Sequence, residues 1–72
     1  MKDNFSELSR SDIEYLIDSW VTGRNAERNR RLLYRRLIDG ITYDSLAEEF
    51  DLSVRQVKNI TYKYVSRISK HI

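Results

Sequence analysis

Hydrophobic positions recur at helical spacing through most of this 72-residue chain. Ile13, Leu16, Ile17, Trp20 and Val21 fall at i, i+3, i+4, i+7 and i+8, a single apolar stripe that predicts a first helix. Ser11-Asp-Ile-Glu14 has capping-box spacing at its start, and Gly23 stands as its C-cap. A second helix is predicted from an Asn25 cap to about Asp39, with Gly40 as its stop. Ala26, Leu33 and Leu37 mark its inner face, while Leu32, Tyr34 and Ile38 flank that face on both sides. So broad an apolar surface suits a helix packed against more than one neighbour. A third helix begins at Tyr43 after a Thr42 cap and ends near Phe50, with Leu46, Ala47 and Phe50 on one side. A fourth runs from Val54 to about Lys70, and Ser53 with Gln56 forms its capping box. Its inner stripe is Val57, Ile60, Thr61, Tyr64 and Ile68, with Val65 and Ile72 at the edge. Residues 1–10 read as a loosely ordered terminus from which Phe5 or Leu8 drops onto the core. The predicted fold class is all-α, a small bundle of about four helices forming a single domain over residues 1–72.

The junction between the third and fourth helices has the character of a helix-turn-helix, spanning residues 42–70 with a long recognition helix. Asp51 stands where the chain must turn through a left-handed conformation, which Gly takes freely and Asp tolerates. Leu52 is the apolar plug of the turn, and Ala47 is small where two helices meeting at a steep angle need room. The run Tyr34-Arg-Arg-Leu-Ile-Asp-Gly-Ile-Thr-Tyr-Asp-Ser-Leu-Ala-Glu-Glu-Phe-Asp-Leu-Ser-Val-Arg-Gln-Val-Lys-Asn59 carries these features in order. It resembles the C-terminal DNA-binding domain of bacterial sigma factors, the output domain of LuxR-type response regulators, and small phage-borne relatives of these. The resemblance covers roughly residues 30–65, and its chief departure is Asp51, where those families usually have Gly. It implies a bihelical unit that sets its second helix into the DNA major groove.

Charge sharpens this picture. The net charge of +2 is modest, yet it is divided into blocks: −3 over residues 1–23, +5 over 24–36, −5 over 37–52 and +5 over 53–72. The two basic blocks are candidates for contact with a polyanion. In the first, Arg24, Arg28, Arg31 and Arg35 form a stripe at spacings of four, three and four. That stripe is either a solvated face, partly paired with the acids of residues 39–51, or a ladder that meets phosphates. In the second block every charged side chain is positive.

The chemistry of base recognition assigns roles. Arg bonds guanine in bidentate fashion, Asn and Gln do so with adenine, and Lys neutralises phosphate. Residues near the start of a groove-entering helix reach base edges, which selects Ser53, Arg55, Gln56, Lys58 and Asn59 for readout. Gln56 has a competing role in the cap. Thr42 and Tyr43, at the head of the preceding helix, are expected to hold phosphate, as are Arg28, Arg31, Arg35, Tyr62 and Lys63.

Other classes fit less well. An enzyme is not expected: the one histidine, His71, sits at the end of the chain as a frayed terminus, and no phosphate-cradling glycine loop or His/Cys metal cluster occurs, so neither a cofactor nor a metal is anticipated. Asp44, Glu48 and Glu49 are close in sequence but have no evident cleft to tune them. With no cysteine, stability must come from packed helices, and the chain suits a reducing cytoplasm. No signal-peptide pattern and no apolar run of membrane-spanning length is present, so no membrane partner is expected. The reading is therefore sequence-specific binding to double-stranded DNA, serving transcriptional regulation. The alternative is a protein-interaction module that contacts RNA polymerase, other transcription machinery or phage packaging machinery without reading DNA. Tyr62, Val65 and Ile72 are candidates for a homodimer contact.

Overall fold

The computed structural model describes residues 8–71. The expectations for Phe5, for Ile72 and for the first seven residues of the loose N-terminus lie outside them. Among the described residues the chain is all-helical, with α1 (Arg10–Trp20), α2 (Ala26–Leu37), α3 (Tyr43–Phe50) and α4 (Val54–Ser69). No helix among them is long and apolar enough to cross a membrane.

Helix α1 starts one cap earlier than expected. The Ser9 hydroxyl accepts from the Asp12 N–H and the Asp12 carboxylate accepts from the Ser9 N–H, both at 3.1 Å, so Ser9 and not Ser11 closes the box. Two overlapping boxes were available, and the apolar neighbour explains the choice. Leu8, just before the cap, packs against the cluster that holds Ile13, the residue one turn into the helix, which is the arrangement of a hydrophobic staple. The other end also moves. The helix stops at Trp20 because Val21 turns inward and is fully buried, and its carbonyl accepts from Arg30 Nε at 2.8 Å. Gly23 takes φ +88° in the loop that follows and is not the cap.

Helix α2 divides the interior. Leu33 joins Ile13, Ile17, Val21, Tyr64 and Ile68 in a cluster built from α1, α2 and α4. Its neighbour Leu32 joins Leu46, Ala47 and Val57 in a second cluster built from α2, α3 and α4. Successive helical residues point about 100° apart, so one step along α2 serves two cores. Ile60 of α4 packs against both. Leu32 is thus fully buried where the pattern made it a flanking residue, and Leu37 is only half-buried where the pattern made it internal. Asn29, which carries no apolar signal, is 5% exposed, and its side-chain oxygen accepts from Arg28. Asn25 occupies the N-cap of α2 in a left-handed conformation (φ 60°), but its side chain makes no capping bond. The helix ends at Leu37 rather than Asp39, and Gly40 (φ +69°) carries the chain round to α3.

Two side-chain contacts at the rim of this core also tie α1 to the body. The Tyr34 hydroxyl of α2 donates to the Asp18 carboxylate. Beyond the last turn of α4, the His71 ring stacks on Trp20, with centroids 3.6 Å apart and planes 2° from parallel. Trp20, expected on the apolar stripe, is half-buried there, and His71, expected as a frayed end, folds back onto it.

Burial and the bond to Asp18 push the Tyr34 phenol up to about 12 from its ordinary value near 10. The folded protein therefore keeps a proton that the unfolded chain gives up. The stabilisation is complete below pH 10 and is lost as the pH rises towards 12. Denaturant titrations across that window should show stability falling with pH. Tyr34→Phe should flatten the fall in part, leaving a remainder from Tyr62, which its side-chain interaction with Tyr43 also raises. An unchanged pH profile in Tyr34→Phe would show that the Asp18 contact contributes nothing in solution.

Candidate nucleic-acid interface

The candidate surface is built on the connection between α3 and α4. The Thr42 hydroxyl accepts from the Ser45 N–H at 3.2 Å and starts α3. At the far end Asp51 adopts φ 56°, ψ 48°. Its N–H bonds the Glu48 carbonyl, and the Leu52 N–H reaches back to the Ala47 carbonyl at 2.9 Å. This pair of bonds is the Schellman termination, and its usual apolar contact is present, since Leu52 packs against the cluster containing Ala47. Two residues later Ser53 opens α4 with a complete capping box. Its hydroxyl accepts from the Gln56 N–H at 3.1 Å, and Gln56 Oε1 accepts from the Ser53 N–H at 2.9 Å. Each device acts within six residues, so the two helices are joined by a short turn in which the backbone has little freedom.

Helix α4 is sixteen residues long, roughly 24 Å at 1.5 Å per residue. Val57, Thr61, Tyr64 and Ile68 are buried along one side. The residues half a turn away, Arg55, Asn59, Tyr62 and Ser66, are all exposed, as are Lys58, Lys63 and Arg67 on the shoulders. Every charged residue of α4 is positive. Thr61 satisfies its buried hydroxyl by donating to the Val57 carbonyl at 2.9 Å, so the polar atom on the inner side needs no solvent.

The head of α3 and the middle of α4 share an aromatic cluster. The Tyr43 ring carries the Arg36 guanidinium at 4.1 Å and the Lys58 ammonium at 5.7 Å from its centroid. Tyr62, 58% exposed, meets the same ring edge-on at 6.3 Å. Arg36 is fixed further by donating from Nη1 to the Ile41 carbonyl at 3.0 Å. Tyr43, Lys58 and Tyr62 are thus brought together as a group, with Thr42 next to Tyr43 in the chain, and Arg36 joins them. Its sequence position showed a basic block but nothing of the ring across the Gly40 turn.

The arginine stripe of α2 does not act as one surface. Arg35 is engaged by α3: Nη2 lies 2.9 Å from Glu49 Oε1, Nε 3.1 Å from Glu49 Oε2, and Nη1 3.2 Å from Asp39 Oδ2. The bonds to Glu49 hold its guanidinium still more firmly protonated. Among the described residues, Arg35 is therefore the member of the phosphate-binding set expected from sequence whose charge is already matched by carboxylates. Arg28 donates to Asn29, and Arg31 lies 5.8 Å from the Phe50 ring at the opposite end of α3 from Tyr43. With Arg30 they line an open cleft of about 720 Å³ at the start of α2. Lys63 is exposed, with its ammonium 5.3 Å from the Tyr64 ring. No group of three or more His, Cys, Asp or Glu side chains that could hold a metal ion occurs among the described residues. No known family model, curated protein or solved structure matches this chain.

A left-handed turn filled by Asp leaves room for improvement. Asp51→Gly removes the Cβ strain at φ 56° and should raise the unfolding free energy by about 0.5–1 kcal/mol. Thermal and urea unfolding of the variant measure this, and a loss of stability would mean that the Asp side chain contributes more to the turn than its backbone conformation costs.

Proposed function

We propose that the protein binds double-stranded DNA sequence-specifically and acts in cytoplasmic transcriptional regulation, with α3 and α4 serving as a helix-turn-helix and α4 entering the major groove. The observation that carries this reading is the outward face of α4, which is exposed along its length and bears positive charge without a single acid. Phosphate attraction supplies most of the affinity of such a face, while planar polar side chains near the helix start supply selectivity. Arg55 and Asn59 are of that planar kind, and Lys58 and Lys63 flank them. The cluster of Arg36, Tyr43 and Tyr62 fits the backbone alongside, as do the Thr42 hydroxyl and the arginines at the start of α2. Arg35 is a poorer candidate for phosphate, since binding it would disrupt two ion pairs.

A second reading has its own observation. Tyr15 is 71% exposed and lines, with Leu8, Asp12, Leu16 and His71, an open, mostly apolar groove of about 360 Å³. A protein partner such as RNA polymerase could use that side, with or without DNA on the other.

Salt separates the two. Binding to a duplex should weaken with log K falling linearly in log salt, by about 0.9 per phosphate neutralised. The double change Arg55→Ala and Lys58→Ala should abolish duplex binding while the far-ultraviolet circular dichroism stays helical. Retention of duplex affinity by a folded double variant would show that α4 is not the groove face.

A further inference from the structure

The cap and the aromatic cluster narrow the readers of sequence from five residues to two. We propose that base recognition rests on Arg55 and Asn59, and that the preferred duplex carries a guanine and an adenine one or two base-pair steps apart. This rests on the DNA-binding reading above.

Three of the five candidates are otherwise engaged. The Ser53 hydroxyl accepts from the Gln56 N–H, which fixes its oxygen at the cap, and its one remaining O–H donor cannot make the paired bonds that single out a base. Gln56 returns its carbonyl oxygen to the Ser53 N–H at 2.9 Å. Bidentate recognition of adenine needs that oxygen to accept from N6 while the amide nitrogen donates to N7. A Gln whose oxygen closes a cap keeps only a donor, and a lone donor does not single out adenine. Lys58 leans over the Tyr43 ring, a quarter turn off the centre of the outward face and on the side of α3. That direction leads to the groove wall, where phosphates lie.

Arg55 and Asn59 differ on both counts. They stand on the line opposite the buried residues Val57 and Thr61, so they project farthest from the body. Neither has a hydrogen-bond or ion-pair partner among the described residues. Both are planar, and each matches one base through two bonds: Arg to O6 and N7 of guanine, Asn to N6 and N7 of adenine. Tyr62 and Ser66 continue the same line, but one and two turns deeper into the helix, beyond the part that meets base edges. Four residues of helix advance roughly 6 Å, against about 3.4 Å per base pair. The two side chains consequently fall on base pairs one or two steps apart.

The test is selection of bound duplexes from a random pool by the full chain and by Arg55→Gln, Asn59→Ala and Gln56→Ala, each checked for helicity by circular dichroism. The unaltered protein should enrich a guanine and an adenine at that separation. Asn59→Ala should lose the adenine preference alone, by roughly 5- to 150-fold, the span of one bidentate pair. Arg55→Gln should change the preferred base from guanine to adenine at its own position, a switch that general loss of stability cannot produce. Gln56→Ala should unfold more easily yet select the same site. The proposal is overturned if the duplexes enriched lack this pair of bases, if Gln56→Ala relaxes a position, or if Arg55→Gln leaves the guanine preferred. Duplex binding with no enriched sequence defeats this assignment and leaves DNA binding intact, whereas no retention of any duplex at low salt defeats both.

Discussion

Adjacent leucines on α2 set the terms for the rest of the molecule. Leu32 and Leu33 are both fully buried, in different clusters, and burying each contributes about 1.5–3 kcal/mol. A helix that buries two directions some 100° apart has little of its circumference left for water. Its solvent side must therefore be strongly polar if the chain is to stay dissolved, and α2 meets this with five arginines in twelve residues. Their long stems also cover apolar surface at the edges of the two clusters. Arg31 against Phe50 and Arg36 against Tyr43 are instances. The basic block of α2 thus has a structural cause before any partner is considered.

The same division fixes where α3 and α4 stand. Leu32 holds α3 through Leu46 and Ala47, while Val57 and Ile60 bring α4 onto the same side of α2. With both helices docked, the residues between them have only one way to run. Asp51 turns left-handed, Leu52 fills the apolar gap beneath, and Ser53 restarts the backbone hydrogen bonding with Gln56. Caps of this kind are worth about 1 kcal/mol each. Their larger effect is on direction, because they set the azimuth at which α4 leaves the turn. That azimuth puts Val57 inward and therefore Arg55 and Asn59 outward, two residues being just over half a turn.

What could be read from the sequence follows the range of the interactions. The bounds of α3, the left-handed Asp51 and the box of Ser53 and Gln56 depend on atoms a few residues apart, and sequence spacing indicates all of them. Sequence spacing places the start of α1 one box too late for the same local reason. Ser9 and Ser11 each have an acid three residues on, and only the packing of Leu8 selects between them. Features carried by distant partners left no trace. The stacking of His71 on Trp20 joins the C-terminal end of the described chain to the last residue of α1, fifty-one residues earlier, and nothing in either neighbourhood announces it. The burial of Asn29 is hidden similarly, since polarity alone suggests exposure. The arginine stripe shows the limit most clearly. Spacing put Arg28, Arg31 and Arg35 on one line, but what each does depends on what lies across from it: Asn29, an aromatic ring, or a pair of carboxylates.

That last distinction bears on the charge of the whole surface. The acidic block lies in sequence between two basic helices and could have neutralised either. Asp39 and Glu49 both turn to Arg35 of α2, and among the described residues no carboxylate forms an ion pair with α4. These are exposed pairs, so their net stabilisation is small. Their consequence is one of placement. An acid bound to α2 is an acid kept from α4, and Arg55, Lys58, Lys63 and Arg67 face solvent with no ion-pair partner among the described residues. At an ionic strength near 0.15 M their field extends about 8 Å, enough to act on a polyanion before contact. The partition of acids between two basic helices thus leaves α4 without an ion pair among the described residues, while Arg35 of α2 serves to hold α2 to α3.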